Sequence, residues 1–163
     1  TGIITALQRM GAKIYIENLK TVSGEPRGDI TVLSSELCGI TISKEMMPLL
    51  IDEIPVIAVA ACFAEGVTVI KDAGELKVKE SDRIKTVVTE LKKFGADITE
   101  TADGMIITGK KPLHPAKALS YNDHRIAMSL AVLGLATEGE TVISGCECAN
   151  ISFPGFFEAI KAL

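Results

Sequence analysis

The sequence predicts an α+β fold of repeated helix-and-sheet units, with sheets outside and buried parallel helices inside. The first observation is an internal duplication. The matching segments are RMGAKIYIE at 9–17 with KFGADITET at 93–101, and AEGVTVI at 64–70 with TEGETVI at 137–143. The second observation is an uncharged apolar segment in each copy, at 54–64 and 126–136. Helices of this composition must be covered, so we place them inside. If rotation relates the copies, these helices run parallel and their N-termini meet at one face.

The first copy begins with an amphipathic helix over residues 3–10, where apolar residues recur at helical spacing. Alternating apolar residues predict a strand over 13–17. We predict a loop at 22–29, because it holds two glycines and a proline. Two further strands, over 29–34 and 38–42, precede the buried helix. A strand over 67–71 completes the copy.

The second copy repeats this order. A helix begins at Ser81-Asp82 and presents one apolar face. Two strands follow around an Asp103-Gly104 turn, which is a strong hairpin signal. Residues 111–120 contain two prolines and predict a loop. The remaining predicted elements are the hairpin strands 97–101 and 105–108, the buried helix 126–136, a strand over 141–144 and a closing amphipathic helix over 156–163.

The composition limits the class of protein. The chain has 163 residues, 47% of them hydrophobic, which is enough for one domain with a real core. A net charge of −4, with no run rich in Lys or Arg, argues against nucleic-acid binding through a basic face. No uncharged apolar run reaches transmembrane length, so we expect no membrane partner. The four cysteines form no C-x-x-C pair, which favours reduced thiols in a cytoplasmic protein. The chain lacks an initiator Met, so we expect a piece of a longer polypeptide.

The first candidate for chemistry is the segment from Tyr121 to Arg125, just before the second buried helix. Asn122 or Asp123 is a plausible N-cap. The N-terminus of a buried helix offers free N–H groups and a positive dipole end, and Arg125 adds a fork for phosphate or carboxylate. The segment therefore predicts an anion site. The alternative is a capped core helix with a surface ion pair.

The second candidate is the charged segment 76–84. It places Lys79 and Arg83 around the start of a helix, where the helix dipole disfavours cations. An anion bound between the two cations would remove this conflict. The alternative is a solvated capping segment.

Four segments, in this order, resemble the C-terminal part of the 5-enolpyruvylshikimate-3-phosphate synthase family. They are DEIPVIAVAA at 52–61, LKVKESDRI at 76–84, YNDHRIAM at 121–128 and SFPGFFEAI at 152–160. The resemblance extends over essentially the whole chain. It implies a two-domain enolpyruvyl transferase that needs no metal or organic cofactor and carries three repeat units in each domain. Residues 1–163 would then be a partial C-terminal domain, about two repeat units plus a closing helix. The other domain, which would be N-terminal, is absent.

The family transfers the enolpyruvyl group from phosphoenolpyruvate to the 5-hydroxyl of shikimate 3-phosphate and releases phosphate. The resemblance implies that Asp52 contacts the shikimate hydroxyls and is a candidate general base, and that Glu80 handles the proton at the methylene carbon. The residues implied to bind substrate are Asp52, Lys79, Arg83, His124 and Arg125, with Glu75 as a secondary contact. Arg83 and Arg125 would clamp phosphoenolpyruvate. One departure is Ile151, which occupies a position that is lysine in some members.

Two alternatives stay open. The first is the sibling UDP-N-acetylglucosamine enolpyruvyl transferase, which shares the fold. The second is a non-catalytic anion-binding module of the same fold. Because a half-site cannot exclude water or align two reactants, we expect the 163-residue chain alone to be inactive.

Overall fold

Helices and short strands alternate along the chain. The structure, a computed structural model, describes residues 2–162. The helices are α1 (Gly2–Arg9), α2 (Ile54–Phe63), α3 (Arg83–Lys93), α4 (His124–Leu135) and α5 (Phe156–Lys161). The strands are β1 (Lys13–Val22), β2 (Glu25–Leu33), β3 (Thr41–Ile42), β4 (Val67–Ile70), β5 (Asp97–Glu100), β6 (Met105–Thr108), β7 (Lys117–Leu119) and β8 (Val142–Ser144). Short 3-10 segments lie at Met47–Leu49, Gly74–Val78 and Cys146–Ile151.

The order of elements repeats. An outer helix, an antiparallel hairpin, a strand, an apolar helix and a strand follow one another first as α1, β1–β2, β3, α2, β4 and then as α3, β5–β6, β7, α4, β8. The strands on either side of each apolar helix pair in parallel, β3 with β4 and β7 with β8. The hairpin β5–β6 extends the first parallel pair into a sheet of order β3-β4-β6-β5. The duplication seen in the sequence is therefore a duplication of structure.

The two apolar helices run side by side in the same direction. At their N-terminal ends, Arg125 of α4 lies near Asp52 and Glu53, which precede α2. At their C-terminal ends, Phe63 and Ala136 line the same groove. Most of α2 is buried, as an uncharged helix requires. The predicted class, α+β with sheets outside and parallel buried helices inside, is confirmed.

The loop predicted at 22–29 is wrong. Ser23 and Gly24 alone form the turn, with φ of 53° and 85°, as expected for a two-residue hairpin turn. Pro26 pairs with Thr21, one step beyond the turn-flanking pair, where hairpin geometry requires no N–H donor. Gly28 lies beside a register shift in β1, where a Cβ would approach the Glu17 carbonyl oxygen to 3.0 Å. Proline and glycine thus mark a hairpin irregularity here.

Other boundaries differ by less. The predicted loop 111–120 contains β7, which exists because it pairs with β8 and not because of its own composition. The strand predicted at 38–42 is reduced to β3, with Cys38 in an isolated bridge to Glu65. The second apolar helix begins at His124, directly after the predicted N-cap position Asp123, and it ends at Leu135, one residue before the end of the predicted apolar run. The last predicted residue, Leu163, lies outside the described residues.

Two apolar surfaces are left uncovered. The hairpin β1–β2 exposes large apolar side chains: Tyr15, Ile16, Leu19, Ile30, Val32 and Leu33. An apolar groove between α1, α2 and α4 is lined in part by Ile3, Leu7, Val56, Ala60, Phe63 and Val132. Contiguous apolar surface of this kind promotes association. None of the helices within residues 2–162 has the length and apolar character needed to cross a membrane.

We expect the 163-residue chain to self-associate as its concentration rises. Val32 and Ile30 share one face of β2, and Thr31 faces the other way. Sedimentation velocity should therefore give a smaller associated fraction for Val32→Lys than for the neighbouring control Thr31→Lys. A monomer at every concentration, or equal effects of the two substitutions, would contradict this expectation.

Candidate active site

Three helices begin at one place. Asp52 and Glu53 precede α2, Asp82 precedes α3 and Asp123 precedes α4. Asp82 caps α3 by accepting the backbone N–H of Lys85 at 3.0 Å. Such caps satisfy backbone donors that the first helical turn leaves free. The start of α2 has no side-chain cap, so the carboxylates there stay available for other partners.

Arg83 lies at the centre of this meeting point, with only 1% of its side chain exposed. Its Nε donates to Asp123 Oδ2 at 2.9 Å, and its Nη1 donates to Asp52 Oδ1 at 2.9 Å. Its Nη2 donates to Glu80 Oε2 at 2.6 Å. Burial opposes the charge of Arg83, but the hydrogen bonds to Asp123 and Asp52 and the nearby carboxylates outweigh it, so the pKa of Arg83 is raised. One guanidinium thereby joins the starts of α2, α3 and α4.

Asp123 is the fully buried partner in this cluster. Its Oδ2 accepts from Arg83 and from Ser81 Oγ, at 2.9 and 3.0 Å, and its Oδ1 accepts the N–H of Arg125 at 2.9 Å. Burial alone would raise the pKa of Asp123, but these donors, led by Arg83, lower it overall. Asp123, and not Asn122, is therefore the N-cap of α4, and it stays ionised as part of a buried ion pair.

Asp52 lies at the open side of the cluster, with 42% of its side chain exposed. Its Oδ1 contacts Arg83 and, at 3.9 Å, Lys79 Nζ. Its Oδ2 faces Arg125 Nη2 at 3.8 Å, beyond hydrogen-bond distance. Lys79 is held by Glu75 at 3.0 Å. Within the described part of the chain, Asp52 Oδ2 is therefore free to accept a hydrogen bond from a ligand hydroxyl.

Arg125 differs from Arg83 because its donors are incompletely used. Its Nη1 lies 3.4 Å from Glu53 Oε1, and its Nη2 reaches Asp52 only at 3.8 Å. Its Nε is buried and has no hydrogen-bond partner among residues 2–162. The guanidinium also lines a groove with Asp52 and with Phe156 of α5. The buried Nε carries the cost of an unmade hydrogen bond, and the weakly paired Nη1 and Nη2 leave the guanidinium able to bind an anion in this groove.

The structure brings together six of the seven residues that were predicted to act on substrate. They are Asp52, Glu75, Lys79, Glu80, Arg83 and Arg125. His124 begins α4 and is half-buried, and it makes no hydrogen bond within the described residues. Ile151 is 77% exposed.

The sequence indicated Asp123 as a possible N-cap within the first candidate segment, but it gave no role toward substrate to Asp123, Ser81 or Glu53. The sequence signal that Asp123 belongs to the site was its position as the N-cap of a helix whose first turn carries an arginine.

The cysteines lie outside this cluster and are free thiols. Burial raises the pKa of Cys62 to about 12, and burial followed by the charge of Glu147 raises the pKa of Cys146. No grouping of three His, Cys, Asp or Glu residues suited to a metal ion occurs in the region that the structure describes. The candidate site therefore consists of cationic side chains paired with carboxylates.

A model of the family described as EPSP synthase (3-phosphoshikimate 1-carboxyvinyltransferase) matches residues 1–160. A 3-phosphoshikimate 1-carboxyvinyltransferase from Thermoanaerobacter sp. (strain X514) is 58% identical over 163 residues, covering 100% of this chain and 38% of the relative. One from Desulforamulus reducens is 53% identical over 160 residues, covering 98% of this chain and 37% of the relative. The chain thus spans well under half the length of these curated relatives.

Solved structures agree with the sequence match. An EPSP synthase from Acinetobacter baumannii superposes with a TM-score of 0.95 at 43% identity, covering 99% of this chain and 38% of that one. The enolpyruvyl transferase NikO from Streptomyces tendae has a TM-score of 0.72 at 20% identity, covering 99% of this chain and 34% of that one, and shares the fold. Because the family model covers nearly the whole chain, the chain belongs to the EPSP synthase family.

Proposed function

We propose that the full-length protein containing this chain transfers the enolpyruvyl group from phosphoenolpyruvate to the 5-hydroxyl of shikimate 3-phosphate and releases phosphate. The observation that carries the proposal is the pairing of an under-used guanidinium, Arg125, with the open Oδ2 of Asp52 across 3.8 Å. This pairing offers an anion site beside a proton acceptor. Relatives over half identical to this chain bear the name 3-phosphoshikimate 1-carboxyvinyltransferase.

The reaction needs an acceptor and a donor for protons. As the hydroxyl oxygen bonds to the central carbon of phosphoenolpyruvate, its proton must leave, and Asp52 is placed to accept it. The methylene carbon must gain a proton in that addition and lose one when phosphate departs. We assign this exchange to Glu80, whose side chain is 48% exposed at the open side of the cluster. Lys79, beside Asp52, and His124 would bind the substrates.

The two arginines have different tasks in this proposal. Arg125 binds the phosphoenolpyruvate anion through donors that have weak partners or none. Arg83 already donates to carboxylates through all three of its nitrogens, so its Nη2 would meet the anion most directly where Glu80 gives up its 2.6 Å hydrogen bond. Anion binding would thus free Glu80 for proton transfer. Because the anion and Glu80 would compete for the Arg83 guanidinium, substrate binding would be coupled to proton transfer.

We further propose that an N-terminal domain of the same polypeptide completes the site in the cytoplasm. Residues 1–163 would be about two repeat units and the closing helix of the C-terminal domain. The cluster faces outward, since Asp52, Glu80 and Arg125 all keep exposed side-chain surface. A reaction from which water must be excluded needs a second domain to cover such a face. The chain alone is therefore expected to be inactive.

The test is phosphate release from phosphoenolpyruvate by the full-length polypeptide, with and without shikimate 3-phosphate. Arg125→Ala should raise the KM for phosphoenolpyruvate by about a hundredfold, because it removes a charge-assisted pair of hydrogen bonds. The matched control is Arg27→Ala, an exposed arginine on β2. Release that depends on UDP-N-acetylglucosamine instead would identify the sibling transferase. No release with either acceptor would leave the anion-binding module as the function.

A further inference from the structure

The segment that leads into α4 has an unusual backbone. Tyr121 and Asn122 both have positive φ, 55° and 56°. Asparagine tolerates this conformation, but a bulky aromatic residue rarely adopts it. Such strain persists only where the surrounding contacts over-determine the chain, and it is concentrated at functional sites. Contacts must therefore hold this turn directly before Asp123 and Arg125.

Glu90, in the middle of α3, supplies those contacts. Its side chain is completely buried. Its Oε1 accepts the hydroxyl of Tyr121 at 2.9 Å, and its Oε2 accepts the N–H of Leu119 at 3.0 Å. Lys93 donates to the two oxygens at 2.8 and 2.9 Å and so balances the buried charge. The hydrogen bond to Glu90 raises the pKa of Tyr121, which keeps its hydroxyl a donor through the neutral range.

Helix α3 thus holds the start of α4 at two separated points. Its first residue, Arg83, binds Asp123, and Glu90, two turns later, binds the turn that precedes Asp123. Ser120 adds a third restraint, because its hydroxyl accepts the N–H of Asn122 and donates to the Gly145 carbonyl. The direction in which α4 presents its first turn is therefore set largely by α3.

We infer that Glu90 and Tyr121 are positioning residues, which hold the turn so that Arg125 points into the groove beside Asp52. The inference rests on the proposed function for its effect on phosphoenolpyruvate. Neither residue is among those expected to touch substrate. Tyr121 and Leu119 donate to different oxygens of Glu90, and Gln replaces one of these oxygens with an NH2 group, so Glu90→Gln breaks one of the two hydrogen bonds.

The variant for the test is Tyr121→Phe, which removes one hydroxyl and keeps the ring. The matched control is Tyr15→Phe on the exposed hairpin. In the full-length polypeptide, Tyr121→Phe should raise the KM for phosphoenolpyruvate about three- to tenfold, with a smaller change in kcat, as loss of one hydrogen bond to a charged group predicts. Glu90→Gln should do the same or more.

A second measurement does not depend on turnover. Amide hydrogen exchange of Arg125, which Asp123 caps, should accelerate by about tenfold in Tyr121→Phe, while the Lys85 amide, capped by Asp82, stays unchanged. Equal acceleration at both amides, or none at Arg125, would overturn the inference. An inactive wild type would refute the proposed reaction, and exchange would still decide the positioning role. In an active enzyme, the exchange rate could change while the KM for phosphoenolpyruvate does not. Glu90 and Tyr121 would then be structural residues without a positioning role.

Discussion

Asp123→Asn is expected to lower the free energy of unfolding of the 163-residue chain by about 1–3 kcal/mol, because Arg83 loses its buried carboxylate partner but keeps Asp52 and Glu80 at the open side of the cluster. Asp123 and Arg83 are 0% and 1% exposed, and their 2.9 Å hydrogen bond joins the starts of two helices. Asn keeps the volume and can still cap α4, since Asn and Asp are about equal as N-caps. The expected loss is therefore the loss of charge opposite Arg83.

The matched control is Asp82→Asn. Asp82 caps α3 as Asp123 caps α4, but its side chain accepts from the backbone of Lys85. Asp82→Asn should change stability by less than about 0.5 kcal/mol, because the cap survives. Urea unfolding at low protein concentration would measure both variants. Similar losses for the two would show that capping, and not the buried ion pair, stabilises the cluster.

The pH dependence of this loss has a definite sign. The folded-state pKa of Asp123 is lowered, so its ionised form contributes stability above the unfolded-state value of about 3.9 and loses it as pH falls through the folded value. The gap between wild type and Asp123→Asn should therefore be full at about pH 7 and shrink below about pH 4. A gap that stays constant into the acid range would contradict the assignment of an ionised, paired Asp123.

Local patterns were sufficient to predict the helices. The uncharged segments at 54–64 and 126–136 predicted α2 and α4 close to their observed bounds, because a helix that packs against others on most sides has apolar residues at nearly every position. The first part of β2 was predicted as a loop, because it contains Pro26 and Gly28. These residues are compatible with a strand only in one register, which pairing with β1 sets. Register is a property of two strands together, so one segment does not display it.

Part of the candidate site could likewise be predicted from the sequence, and part could not. The duplication predicted that the N-termini of the two buried helices would meet, and the contacts of Arg125 with Asp52 and Glu53 agree with this. The burial of Arg83 could not be predicted, because it depends on how closely α3 packs against α2 and α4. The resemblance assigned Arg83 and Arg125 the same task. Only the structure separates Arg83, whose three nitrogens all donate to carboxylates, from Arg125, whose Nε has no partner among the described residues.

Asp52 lies near both arginines, 2.9 Å from Arg83 and 3.8 Å from Arg125. In the full-length polypeptide, Asp52→Asn is expected to lower kcat by about 10²–10⁴-fold, the usual contribution of a positioned general base. Asn is similar in shape and keeps an oxygen for Arg83, but an amide cannot accept the proton of the attacking hydroxyl. The KM for phosphoenolpyruvate should change much less, because Arg125 keeps its place.

The matched control is Glu53→Gln. Glu53 is the neighbouring carboxylate, and its Oε1 lies 3.4 Å from the same Arg125 guanidinium that Asp52 faces at 3.8 Å. Both substitutions therefore remove a negative charge beside Arg125, but only Asp52→Asn removes the proposed proton acceptor. Single-turnover kinetics should show a slow chemical step for Asp52→Asn and less than about a tenfold change for Glu53→Gln. If the two variants lose activity equally, the role of Asp52 is electrostatic, and the base that accepts the hydroxyl proton must come from elsewhere, with the proposed N-terminal domain as the next place to search.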